Sequence, residues 1–211
     1  TGVGKLKDVV IPPGQRADLQ RNLVLSHAAG VGAPLAEPDV RAIMLLLAAS
    51  LARGASGVRP VVVETIVACL NRRVHPVVPE LGSVGASGDL APLAHVALCL
   101  LGEGFTGAGD RQVPAAEALA RAGVAPLVLE TKEGLALLNG TQVSTALLAD
   151  AALAARRRAR AADIACALTP EAYKGTAAAF DARIHALRGH PGQQHVAANL
   201  RRLLQKSAIL P

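Results

Sequence analysis

Aromatic side chains are almost missing from this sequence: two Phe, one Tyr and no Trp make up 1% of 211 residues, while 51% are hydrophobic. Apolar burial must therefore come from Leu, Val and Ala, which are good helix formers or small enough to let helices approach closely. The same shortage argues against a single-stranded nucleic-acid binder, which needs stacking platforms, despite a formal net charge of +6. The basic run Arg156-Arg157-Arg158 with Arg160 reads instead as a solvated helix face. Long apolar runs are missing too. The longest, Ala42 to Ala52, is about half of the ~20 residues a membrane span needs. No membrane partner is expected, and no signal peptide is recognisable at the start. Cysteine is scarce. Cys69, Cys99 and Cys166 form no C-x-x-C pair and lie in apolar, helix-like sequence, the pattern of reduced, buried thiols in a cytoplasmic protein. Strand-like alternation, internal repeats and an interdomain linker are likewise not seen. The expectation is one all-α domain, with a core large enough to need no staples.

What is present is helical punctuation. After a loop broken by Pro12-Pro13-Gly14, residues Leu19, Leu23, Val24 and His27 share one helical face. Pro38 and Pro60 are placed to start helices, and Gly54 and Pro76 mark stops. Residues 76 to 88 hold Pro76, Pro79, Gly82, Gly85 and Gly88, a tight loop ahead of a helix that Asp89 is suited to cap. A short helix is expected to stop near Gly123. From Thr141 to about Leu168 neither Gly nor Pro intervenes, which predicts a helix of ~40 Å. The last helix carries Val196, Leu200, Leu203 and Leu204 beyond a turn at Gly189 to Gly192.

The segment that carries chemistry is Gly82-Ser83-Val84-Gly85-Ala86-Ser87-Gly88-Asp89-Leu90-Ala91-Pro92-Leu93-Ala94-His95. A serine between small residues can lose water to give dehydroalanine. In a tight enough turn the amide nitrogen of Gly88 can reach the carbonyl carbon of Ala86, and loss of a second water closes a five-membered imidazolone. The attacking residue must be Gly, since a side chain would block a strained approach. The middle residue must carry a β-leaving group. Ala-Ser-Gly alone is equally an ordinary glycine-rich turn.

The whole block resembles the signature of the histidine and phenylalanine ammonia-lyase family, and the resemblance extends over nearly the full chain. Thr1-Gly2-Val3-Gly4, Asn22 to Gly32, Ser56-Gly57-Val58-Arg59, Lys132 to Gln142 and Phe180 to His185 resemble further family blocks. It implies an all-α, long-helix bundle of the ammonia-lyase (fumarase/aspartase-like) type, with residues 1–211 as the amino-terminal part of a single lyase domain. The cofactor-forming loop lies at about 76–89 and the start of a central bundle follows. It implies a 4-methylidene-imidazol-5-one (MIO) cofactor made from Ala86, Ser87 and Gly88, with no metal and no nucleotide. The methylidene carbon captures the amino group of a small amino-acid substrate, a base removes the β-proton, and ammonia and an unsaturated acid leave. Asn139 matches the asparagine that hydrogen-bonds the cofactor ring oxygen; from its residues alone Asn139-Gly140 is also a helix-breaking turn. His27 reads as a satisfied core histidine on periodicity alone, and by resemblance as a substrate-binding residue that recognises the substrate ring. The Ser26-His27 pair points to the histidine branch, with urocanate as product, and the family plan is a cytoplasmic homotetramer.

The resemblance also places a catalytic tyrosine before Thr1 and further site residues beyond Pro211, so the segment alone is expected to be inactive. Val3, Leu47, Ala49 and Ala55 stand where the family usually carries Phe, Arg, Asn and an aromatic residue. The alternatives are a tyrosine or phenylalanine ammonia-lyase, an aminomutase with the same cofactor, and a helical scaffold that has lost catalysis. His185, His190 and His195 recur every five residues, but Gly189, Pro191 and Gly192 interrupt them, so no metal site is expected. Tyr173 reads as a packing residue.

Overall fold

The computed structural model describes residue 4, residues 7–107 and residues 111–210. The Thr1-Gly2-Val3 opening of the first resemblance block lies outside the described residues. The chain divides into two compact units, Thr1–Ala149 and Asp150–Pro211.

In the first unit a 3-10 turn at Pro13–Gln15 leads into α1 (Arg16–His27). Then come α2 (Glu37–Leu51), α3 (Pro60–Asn71), α4 (Leu90–Leu100), α5 (Ala115–Arg121) and α6 (Glu133–Leu138). The proline starts are as expected: Pro38 and Pro60 each sit in the first turn, where a missing N–H has no consequence. The core is aliphatic throughout, with Ile43, Met44, Leu47, Ile66, Leu93, Leu100, Leu119 and Leu137 almost fully buried. Helices α1, α4 and α6 pack pairwise against one another, which gathers their ends around the glycine-rich loop.

Among the described residues four short strands form where the sequence showed no alternation. β1 (Val31–Pro34) pairs antiparallel with β2 (Pro79–Leu81), and β3 (Phe105–Thr106) with β4 (Val113–Pro114). They are ladders of two to four residues on largely exposed backbone, so no buried face imposed a period-2 pattern. The all-helical architecture stands, with these ladders as clips between helices.

Helix α7 (Gln142–Ala172) is the long helix, about 46 Å over its 31 residues. It begins in the first unit and continues into the second. Pro170 lies inside its last turn, so the helix runs four residues past Leu168. The second unit also holds α8 (Ala182–Arg188) and α9 (Pro191–Leu204). Its small core joins Ala167, Leu200 and Leu204, with Ala177, Phe180 and Leu210 packed against them. Asp181 caps α8 by accepting from the Arg183 N–H at 2.8 Å, and Gly189 closes it in the left-handed region at φ 65°.

Two expectations are corrected. Cys69 and Cys99 are buried, but Cys166 is exposed: Ala and Arg around it on α7 gave the sequence a helical look without marking a buried face. Tyr173, at the end of α7, is 84% exposed and therefore does not pack. Arg156, Arg157, Arg158 and Arg160 lie exposed on α7. Among the described residues no helix is long and apolar enough to cross a membrane.

Candidate active site

The loop from Gly82 to Asp89 is irregular, with Gly85 at φ 68° and Gly88 at φ 108°. At Gly88 the restriction is double. The backbone lies in the glycine region, and a Cβ there would stand 2.5 Å from the Gly140 carbonyl oxygen and 3.0 Å from its nitrogen. The loop is thus pressed against the turn after α6. The Asp89 N–H donates to the Gly140 carbonyl at 2.7 Å. Asn139, the residue capping α6, donates its Nδ2 hydrogen to the Ser87 carbonyl oxygen. The side chain of Gln142 turns back on the same turn, and its Oε1 is buried without a hydrogen-bond partner. Ala86 and Ser87 themselves are exposed.

Asp89 was expected to cap α4. Its side chain does something else. It is 1% exposed, and Oδ1 accepts hydroxyl hydrogens from Ser83 and Ser144, both at 2.7 Å, while Oδ2 accepts the Ser144 N–H at 2.8 Å. The carboxylate therefore caps the first turn of α7, where free N–H groups and the helix dipole favour an anion. Burial alone would raise its pKa; the hydrogen bonds from Ser144 and Ser83 outweigh burial and hold it below the ordinary carboxylate value. A single buried anion thus fastens both sides of the Ala86-Ser87-Gly88 turn to α7.

His27 ends α1 half-buried. Its Nδ1 lies 2.8 Å from the Leu23 carbonyl, which can only accept, so Nδ1 donates there. Ser26 Oγ lies 3.1 Å from the same Nδ1. His27 makes no direct hydrogen bond with Ser87 or Asn139. The link runs through the backbone three residues on. Gly30 donates its N–H to His95 Nε2 on α4 at 3.2 Å, and a Cβ at Gly82 would stand 3.1 Å from the Gly30 Cα. Burial keeps the His95 pKa below its ordinary value, consistent with Nε2 acting as acceptor.

A second buried anion organises the other end of α6. Glu133 is 1% exposed, and its Oε1 accepts from the Arg59 N–H at 3.0 Å and from Arg59 Nε at 2.9 Å. Its Oε2 accepts from Arg59 Nη2 at 2.7 Å and from the Glu130 N–H at 2.8 Å. Burial pushes this carboxyl up, but the hydrogen bonds and charge of Arg59 prevail and set its pKa at about 2.

The sequence thus named Ser87, Gly88 and Asn139, and the fold brings them into contact. It missed Arg59, Glu133, Asp89 as an anchor, and His95. A signal existed for Asp89 alone: it is a lone carboxylate at the mouth of an apolar helix, where burial requires partners. Among the described residues no group of three His, Cys, Asp or Glu could hold a metal ion. His185 has both ring nitrogens engaged, with the Ala179 carbonyl and Gln193 Nε2.

A family model described as aromatic amino acid lyase matches residues 1–211. A histidine ammonia-lyase of Koribacter versatilis is 56% identical over 209 residues, covering 99% of this chain and 40% of the relative. Among solved structures, histidine ammonia-lyase from Trypanosoma cruzi superposes with a TM-score of 0.87 at 42% identity, covering 94% of this chain and 39% of that one. Tyrosine aminomutase from Streptomyces globisporus gives 0.91 at 41% identity, covering 100% and 40%. The chain spans about 40% of the length of these relatives.

Proposed function

This chain belongs to the aromatic amino acid lyase family, and from that premise we propose that it is the amino-terminal, cofactor-bearing portion of an enzyme that eliminates ammonia from L-histidine to give urocanate. The cofactor is a methylidene-imidazolone built from Ala86, Ser87 and Gly88. It supplies a carbon electrophile and electron sink that no ordinary side chain offers.

The observation that carries this reading is the hydrogen bond from Asn139 Nδ2 to the Ser87 carbonyl oxygen. Closing the ring between the Gly88 nitrogen and the Ala86 carbonyl carbon removes the Ala86 oxygen as water and leaves the Ser87 oxygen as the ring's own carbonyl. The donor therefore already sits on the atom where negative charge would collect, which is the geometry of an oxyanion stabiliser. Gly88 fits the same chemistry, since the packing of Gly140 excludes any side chain at the attacking nitrogen's residue.

The other residues divide the remaining work. Asp89 keeps the turn against α7. His27, with Nδ1 committed to Leu23, offers Nε2 as an acceptor for the N–H of a substrate imidazole. The proton-abstracting base belongs to the rest of the polypeptide, as do the groups that hold the substrate carboxylate. Exposed Leu147, Leu148, Leu153, Ile164 and Leu168 on α7 supply apolar surface suited to contacts within a homotetramer in the cytoplasm.

The test is to incubate the full-length protein with L-histidine, L-tyrosine and L-phenylalanine in turn. Urocanate should form from histidine and be lost in Ser87→Ala. Coumarate or cinnamate in its place, or a β-amino acid as the tyrosine aminomutase likeness would suggest, would reassign the substrate or the outcome.

A further inference from the structure

We infer that the Arg59–Glu133 pair is a positioning device for Asn139, acting through the six residues of α6 to hold the asparagine against the Ser87 carbonyl. The inference rests on the function proposed above, and it adds two residues to which no role in the reaction was assigned.

Helix α6 is too short to hold itself: a helix of Glu133–Leu138 has little internal hydrogen bonding and would not persist alone in water. Its entry is also strained. Lys132, the residue before it, lies in the left-handed region at φ 77°, where a residue bearing a Cβ is disfavoured. Something must over-determine this conformation. Arg59 does so. Its guanidinium grips both Glu133 oxygens, bonds Glu130 Oε1 at 2.9 Å and donates to the Val128 carbonyl at 2.7 Å, so one side chain spans the whole approach to α6. Arg59 is itself anchored as the residue preceding α3, and its own N–H donates to Glu133. A further contact presses on the helix from α1: Gly134 donates its N–H to Gln20 Oε1 at 3.0 Å, and a Cβ at Gly134 would stand 2.9 Å from the Gln20 carbonyl oxygen.

The far end of α6 carries Asn139, whose N–H donates to Leu135 at 2.9 Å and whose side chain reaches Ser87. Between the ends, Leu137 and Leu138 are fully packed. A rotation or slip of α6 at Glu133 is therefore delivered to the Asn139 amide with no flexible joint in between. The Glu133 carboxylate accepts four hydrogen bonds and donates none, so replacing it with the isosteric amide sets an N–H₂ group against donors and releases the clamp while keeping the volume.

The experiment is a double-mutant cycle in the full-length enzyme, with Glu133→Gln and Asn139→Ala alone and together, scored by kcat and KM for histidine. Glu133→Gln should lower kcat by about tenfold to a hundredfold, the scale of a displaced catalytic group, with KM much less affected. On the Asn139→Ala background the same change should have almost no further effect on kcat, because the residue it acts through is gone. Equal kcat losses in both backgrounds would overturn the inference and make the pair purely structural. Arg59→Lys, which keeps the charge and loses the two-pronged grip, should reproduce the kcat loss; normal turnover in Arg59→Lys would also contradict it. The intact mass of Glu133→Gln separates this idea from the function it rests on. A mass two waters short of the translated sequence with low kcat supports the positioning role, whereas an unmodified mass in the wild-type protein removes the cofactor reading itself.

Discussion

At the residue scale the two buried carboxylates do the most to define the site, and each makes its own prediction. Asp89 only accepts. In Asp89→Asn the Oδ1 can still serve the two hydroxyls, but the new NH₂ would face the Ser144 N–H, donor against donor. The expected loss is about 2 kcal/mol, read as a lowered denaturant midpoint with unchanged slope. Glu133 predicts a pH dependence. Its carboxyl titrates at 4.5 when unperturbed and at about 2 in the fold. A depressed folded pKa means the contribution is full above the unfolded value and disappears as pH falls through the folded one. The stability gap between wild type and Glu133→Gln should therefore be constant near neutrality and close between about pH 5 and about pH 2, as followed by urea denaturation across that range. Cysteine reactivity is a third test. Burial raises the Cys69 thiol to about 11 and the Cys99 thiol to about 12, so neither should react with iodoacetamide in the native state, and peptide mapping would read both unmodified.

At the scale of elements, much of the helical layout was legible because proline and glycine punctuate it. Pro38 and Pro60 open helices and Gly189 closes one in the conformation glycine favours, while Pro191, read as part of the turn before the last helix, in fact opens it. What was not legible is long-range. The pairing of Val31–Pro34 with Pro79–Leu81 joins segments far apart in sequence on exposed backbone, so no local periodicity announces it. Asp89 reads locally as a cap for the helix it precedes, and only the fold shows it capping one that starts 53 residues later. Cys166 shows the converse limit: a helical pattern rich in small residues does not say which side is covered. The site divides the same way. Ser87 and Gly88 were legible as a motif with its own chemistry and Asn139 through the resemblance, whereas the Arg59–Glu133 pairing was not, since an ion pair between residues 74 apart leaves no trace in either neighbourhood. Close approach at α6 also predicts a cost for bulk: Gly134→Ala forces a Cβ against the Gln20 backbone and should destabilise the first unit by about 1–3 kcal/mol by the same denaturation assay.

At the scale of the whole molecule, the chain divides into a larger unit that builds the loop and a smaller one on the continuation of α7. The larger unit holds the anchored loop, the asparagine and both buried acids, and the chain spans about 40% of the length of the relatives it matches. On the proposed function, the remaining polypeptide brings a base and a carboxylate-binding group to a turn that is already shaped. The central claim is that this turn becomes the electrophile, and it is tested most directly by peptide mass spectrometry of the full-length, folded protein across Gly82 to His95. The account predicts a fragment lighter than the translated sequence by two waters, with the loss confined to residues 86–88 and absent in Ser87→Ala. A fragment at its full translated mass, carrying an intact Ser87 hydroxyl in protein that turns over histidine, would contradict it.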